Sequence, residues 1–145
     1  MPEASELVGA NGAVDDEALF LFLQARAYEG FPQEQETYPS PRGWSDRRVR
    51  AFVEPELYEA MEGDDPVLPV GSMAVEELYE ADGRTMIGWA VSLKVSDHGD
   101  GRDWYWYENQ STTENLPTTR SVGAQECMVC HAQSTDGVLS PFPLR

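Results

Sequence analysis

The chain has 145 residues, a single-domain length, with 41% hydrophobic and 25% charged residues, a globular balance. Ten basic residues against 26 acidic ones leave a formal net charge of −16. That charge repels phosphate backbones and anionic lipid, so nucleic acid and membrane surfaces are poor partners.

Residues 1–14 are small, polar and rich in Gly and Ala, and read as a flexible N-terminal tail ahead of one domain over 15–145. The opening Met1-Pro2-Glu3-Ala4-Ser5-Glu6 lacks the basic and apolar regions of a signal peptide. The expectation is therefore a cytosolic chain or an exported domain whose signal is absent. Asp15-Asp16-Glu17 opens a buried helix over Ala18 to Tyr28, closed by Gly30 and Pro32. Ala18 to Leu23 is the longest apolar run, far short of the roughly 20 residues of a membrane span.

Residues 30–46, with three prolines, read as irregular. Arg48 to Val53 alternates as a strand, with Val49, Ala51 and Val53 on one side and Arg48 and Arg50 on the other. Pro55 to Met61 is a short helix with proline in its first turn, stopped at Gly63. Ser72 to Tyr79 and Thr85 to Val95 form a hairpin about Ala81-Asp82-Gly83-Arg84. Gly88 marks a bulge or a close approach. After a turn at His98-Gly99-Asp100-Gly101 comes an aromatic strand, Asp103 to Tyr107. Residues 108–125 read as a polar connection. The expected fold is mainly β (α+β): an antiparallel meander of roughly four strands, an N-terminal helix and a C-terminal helical segment.

That last segment carries both cysteines, in Cys127-Met128-Val129-Cys130-His131. Cys-x-x-Cys-His is the attachment pattern of c-type haem. Each thiol adds to one porphyrin vinyl, and the adjoining imidazole comes under the ring as axial iron ligand. One covalent haem c is thus expected, with Cys127 and Cys130 as anchors and His131 as iron ligand. A thioredoxin-like pair belongs near the N-terminus of a strand–helix–strand unit, which this is not. A zinc site needs four ligands, and only His98 is left to join the motif. A plain disulfide leaves His131 without a role. These alternatives stay open. Haem attachment normally takes place outside the cytoplasmic membrane, so the haem reading carries a periplasmic or exported location with it.

Several segments then fall together. Ala51-Phe52-Val53-Glu54-Pro55-Glu56-Leu57-Tyr58 precedes Gly71-Ser72-Met73-Ala74-Val75-Glu76-Glu77-Leu78. Gly88-Trp89, Lys94, Asp103-Trp104-Tyr105-Trp106, Asn115-Leu116-Pro117 and the cysteine motif follow. Their order and spacing resemble the cytochrome P-460 family and its relative cytochrome c′-beta, over roughly residues 44–140. The resemblance implies a mostly β, usually dimeric, exported protein with one covalent haem. It also implies an open distal side that binds nitric oxide or oxidises hydroxylamine. In cytochrome P-460 a lysine in the segment matching Val75-Glu76-Glu77-Leu78 cross-links to the porphyrin. Glu76 stands there in this chain, and a carboxylate cannot make that amine link. The likeness therefore favours the c′-beta type, a gas binder without the cross-link.

Glu76, on the strand face of Ala74 and Leu78, is the candidate catalytic group: a distal carboxylate able to take a proton or hydrogen-bond a ligand. Its other reading is a solvated strand glutamate, and Glu77, on the opposite face, is assigned to solvent. Trp89, Trp104 and Trp106 would wall the pocket or simply fill the core. The rival function is a six-coordinate electron carrier, its last ligand a methionine such as Met73 or Met86, or His98, or Lys94. Arg48 and Arg50 are candidates for haem propionates. The strong negative charge favours a basic redox partner protein.

Overall fold

A computed structural model describes residues 4–9, 12–40, 46–63, 68–98, 103–124 and 127. The expected C-terminal helical segment, Cys130 and His131 lie outside these residues. Among the described residues the chain is mainly one antiparallel six-stranded sheet with two α-helices. The strands are β1 (Tyr38–Pro39), β2 (Arg47–Val53), β3 (Met73–Glu80), β4 (Met86–Lys94), β5 (Trp104–Asn109) and β6 (Thr119–Val122). Each pairs only with its neighbours in sequence, so the sheet is a plain meander.

The two strands beyond the expected four lie in segments read as irregular or as a connection. Both are edges. Pro39 has no N–H to give, which a sheet tolerates only at its rim. Thr119-Arg120-Ser121-Val122 is short and mostly exposed, so it carries no apolar alternation to betray it.

Residues paired directly across the sheet share a face. One face carries Phe52, Met73, Val75, Trp89, Val91, Leu93, Tyr105 and Tyr107. The helix α1 (Asp16–Gln24) lays Leu19, Phe20, Phe22 and Leu23 on it, forming the main core. Leu7, from the segment read as a flexible tail, is also buried in this core, and Val8 pairs with Val14. Composition alone gave no sign of that single anchoring leucine.

The helix α1 starts where the Asp15 carboxylate accepts the N–H groups of Glu17 and Ala18. It stops earlier than Tyr28. Arg26 adopts a left-handed φ of 55°, its N–H returns to the Leu23 carbonyl and that of Ala27 to Phe22. This is a Schellman closure, usually built on glycine. Arginine holds the position here because its guanidinium reaches Glu77 Oε2 at 3.0 Å.

Glu77 is a correction to the sequence reading, since it is fully buried rather than solvated. Strand alternation puts it inward beside Val75. Its carboxylate accepts hydrogen bonds from Tyr28 Oη at 2.6 Å, Tyr79 Oη at 2.5 Å and Arg26. Tyr28 Oη in turn accepts the Trp89 indole N–H at 2.9 Å. Burial, and then the bond to Glu77, push the Tyr79 phenol up to about 12, and the same causes raise Tyr28 further. One carboxylate thus ties the α1 exit to β3 and β4.

Gly88 meets its expectation. A β-carbon there would lie 1.9 Å from the Asn109 carbonyl oxygen, and the β3–β4 register shifts between Leu78 and Tyr79. In the hairpin below it, Asp82 accepts the N–H groups of Thr85 and Arg84 and the Thr85 hydroxyl. Those bonds lower its carboxyl from 3.8 to about 2.

Two outcomes follow for stability. Glu77→Ala strands the buried Tyr28 phenol, the half-buried Tyr79 phenol and a guanidinium and is expected to cost about 3 kcal/mol in urea unfolding; a loss under about 1 kcal/mol would contradict the clamp. Asp82 has a depressed folded pKa, so its contribution is complete above its ordinary value and disappears as pH falls toward about 2. The stability gap between the native chain and Asp82→Asn should therefore narrow between pH 4 and pH 2, and a gap constant over that range would refute the turn's role.

Candidate functional site

The second face of the sheet is built differently. One row across it reads Val53, Ala74, Ser92, Trp106 and Ser121. The next reads Ala51, Glu76, Ala90, Glu108 and Thr119. Toward the end of β4, Lys94 stands opposite Trp104. Small side chains at Ala51, Ala74, Ala90 and Ser92 make a low floor, bordered by two tryptophans whose ring centroids lie 6.1 Å apart.

The helix α2 (Pro55–Glu62) closes one side of that floor. Pro55 suits its first turn, and the Glu54 carboxylate accepts the N–H groups of Glu56 and Leu57 at 3.0 Å. Burial nonetheless leaves the Glu54 carboxyl raised. Leu57 is fully buried against Val53, Leu68, Trp104, Trp106 and Ala124. Tyr58, Ala60, Met61, Ala74 and Cys127 pack on this second cluster. Cys127 arrives there directly from the sheet, since the Gly123 N–H binds the Trp104 carbonyl at 2.9 Å and the Cys127 N–H binds Ala124 at 3.1 Å.

Of the residues singled out in sequence, the sheet thus brings Cys127, Trp104, Trp106, Lys94 and half-buried Glu76 to one face. It sends others to the opposite one. Met73 and Trp89 are buried in the main core and Met86 packs against it. Arg48 binds Thr37, while Arg50 binds the Glu34 carbonyl and the Gln33 side chain. Both arginines pair across the sheet with residues of the main-core face, Tyr79 and Glu77. Among the described residues the methionine on the Cys127 side is Met61, which the sequence reading did not single out. His98 is a half-exposed loop residue as expected, its Nδ1 3.0 Å from Ser96 Oγ and 3.4 Å from Asp103 Oδ1. Among the described residues no three His, Cys, Asp or Glu side chains gather as a metal site.

Sequence reasoning missed the burial of Lys94, whose side chain is 1% exposed. It also missed the fully buried Asp103, held by Ser96 and the His98 N–H. The signal for Lys94 was its even spacing from Ala90 and Ser92, which puts it on their face. No helix among the described residues is long and apolar enough to cross a membrane. Comparison with protein-family models and with curated proteins finds no match to this chain.

The second cluster depends on one helix, and Leu57 is its fullest contact. Leu57→Ala should cost 2–5 kcal/mol by the usual measure of buried leucine truncation, and should shift Trp104 and Trp106 fluorescence to the red as water reaches them. An unchanged emission maximum would mean that α2 does not seal this face.

Proposed function

We propose that the chain is a mono-haem c-type cytochrome of the P-460/c′-beta kind, binding or redox-transforming small nitrogen ligands such as nitric oxide or hydroxylamine. The observation that carries this reading is the Cys127-x-x-Cys130-His131 motif, whose first cysteine packs among Trp104, Trp106 and α2 on the sheet face floored by small side chains. The residues there fit a covalent porphyrin. They offer a thiol, a flat apolar and aromatic surface, and a buried indole N–H at Trp104 with no hydrogen-bond partner among the described residues.

In this reading Cys127 and Cys130 would hold the haem through thioether bonds from their thiols. His131 would ligate its iron. When bound, the haem would supply the redox chemistry and the site for the small ligand. The chain's own residues do the rest. Trp104, Trp106 and Leu57 exclude water from the face, and Glu76 holds or takes a proton beside the ligand. The protein is exported and matured outside the cytoplasm. It exchanges electrons with a basic partner, given a net charge of −16, and works as a homodimer as the resemblance implies.

The rival, a six-coordinate electron carrier, keeps a smaller set of ligands. Met73 and Met86 belong to the other face; among the described residues Met61 and Lys94 lie on the Cys127 side, and His98 remains a loop candidate.

The test is expression with haem-attachment machinery. The expected product gains the mass of one haem, keeps it under acid–acetone extraction, and shows a high-spin spectrum that changes at once with nitric oxide. Replacing both Cys127 and Cys130 by alanine should abolish attachment. Glu76→Gln should leave attachment intact and flatten the pH dependence of ligand binding. No covalent haem in competent cells would overturn the proposal, whereas a low-spin spectrum indifferent to nitric oxide would select the electron carrier.

A further inference from the structure

We infer that Tyr79, Glu77 and Tyr28 form a site for one-electron oxidation, in which a small oxidising radical takes an electron at Tyr79 and the hole is stored on Tyr28. Three observations carry the site, and none involves the proposed haem. One carboxylate accepts from two phenols, Glu77 Oε1 from Tyr79 at 2.5 Å and Oε2 from Tyr28 at 2.6 Å. The two phenols differ in access, since Tyr79 is half-buried and Tyr28 is fully buried. The Tyr28 oxygen also accepts the indole N–H of Trp89, itself buried in the main core.

These are the parts that proton-coupled oxidation of a phenol requires. Burial and the bonds to Glu77 push both phenols up, so neither ionises near neutral pH. Each can therefore give up an electron readily only if its proton leaves at the same time. An oxidised phenol is a far stronger acid than a carboxylic acid. Its proton crosses to Glu77 along the existing bond, even with the Arg26 guanidinium 3.0 Å from Oε2.

The oxidant belongs to the radicals whose one-electron product is a stable anion, such as nitrogen dioxide or azidyl. It takes one electron from Tyr79 and becomes its anion, while the Tyr79 proton moves to Glu77 Oε1. Tyr28 then gives one electron to the Tyr79 phenoxyl. Its proton passes to Glu77 Oε2 as the proton on Oε1 returns to Tyr79. Tyr79 is restored, Glu77 holds one proton, and the hole rests on Tyr28, whose oxygen keeps its bond from Trp89. Burial shelters that radical from collision. A one-electron reductant such as ascorbate ends the cycle, as Glu77 returns the proton to Tyr28.

The test exposes the full haem-free chain to azidyl radicals, made by pulse radiolysis of azide solutions. Tyrosyl radical is followed by absorbance and, after freezing, by electron paramagnetic resonance. The expected signal has a long-lived fraction that Tyr28→Phe removes and whose appearance Tyr79→Phe slows. Tyr38→Phe, which removes a phenol bound to a different carboxylate, Glu34, should leave it unchanged. Glu77→Gln should slow its formation about a hundredfold, the low end of what a positioned base supplies. In D2O the native chain should form it more slowly, because the electron leaves with a proton. That arm needs no variant and decides even if Glu77→Gln fails to fold. A long-lived radical that survives Tyr28→Phe, or one that forms equally fast in H2O and D2O, would overturn the site.

Discussion

Everything in this molecule depends on a sheet that must satisfy two faces at once. Period-two alternation sends each neighbouring pair of side chains to opposite sides, so β3 delivers Val75 and Glu77 to one face and Ala74 and Glu76 to the other. The first face meets α1 and becomes an ordinary aromatic and aliphatic core. The second meets α2 at one end and keeps small residues at its centre. A one-residue slip of register would exchange Glu76 with Glu77 and dismantle both sides.

Glu77 is what holds that register from the core side. A buried carboxylate is costly unless its charge is matched and its lone pairs are used. Here two phenols and a guanidinium supply three donors, and the guanidinium comes from a residue held in a left-handed conformation at the end of α1. The clamp therefore ties together the helix exit, β3 and, through Tyr28 and Trp89, β4. With the core face fixed this way, the other face is set by geometry, and Cys127 reaches it through backbone bonds to β5 and its flanking turn.

Much of this was legible in sequence, and the exceptions have physical reasons. The alternation of Val49, Ala51 and Val53, the hairpin at Asp82-Gly83 and the close approach at Gly88 were read correctly, because each is a local pattern. The edge strands β1 and β6 were not, because an exposed edge has no apolar period. The end of α1 was missed because Arg26 takes a position that usually belongs to glycine. Glu77 was assigned to solvent on its charge, although its own alternation placed it with Val75. In the candidate site the cysteine motif is a reading of five consecutive residues, of which the structure describes Cys127. The separation of Trp89 from Trp104 and Trp106 was not legible, since it depends on strand pairing, and the same pairing removes Met73 and Met86 from the cysteine's side.

The account's central claim is that a haem lies on the sheet face of Cys127, opposite α1. The most direct measurement is paramagnetic broadening of methyl signals in the oxidised, haem-loaded chain, compared with its haem-free form. The account predicts that the methyls of Ala51, Ala74 and Ala90 broaden strongly, while those of Val75 and Val91, on the α1 face of the same strands, broaden much less. Equal broadening on the two faces, or stronger broadening at Val75 and Val91, would contradict it.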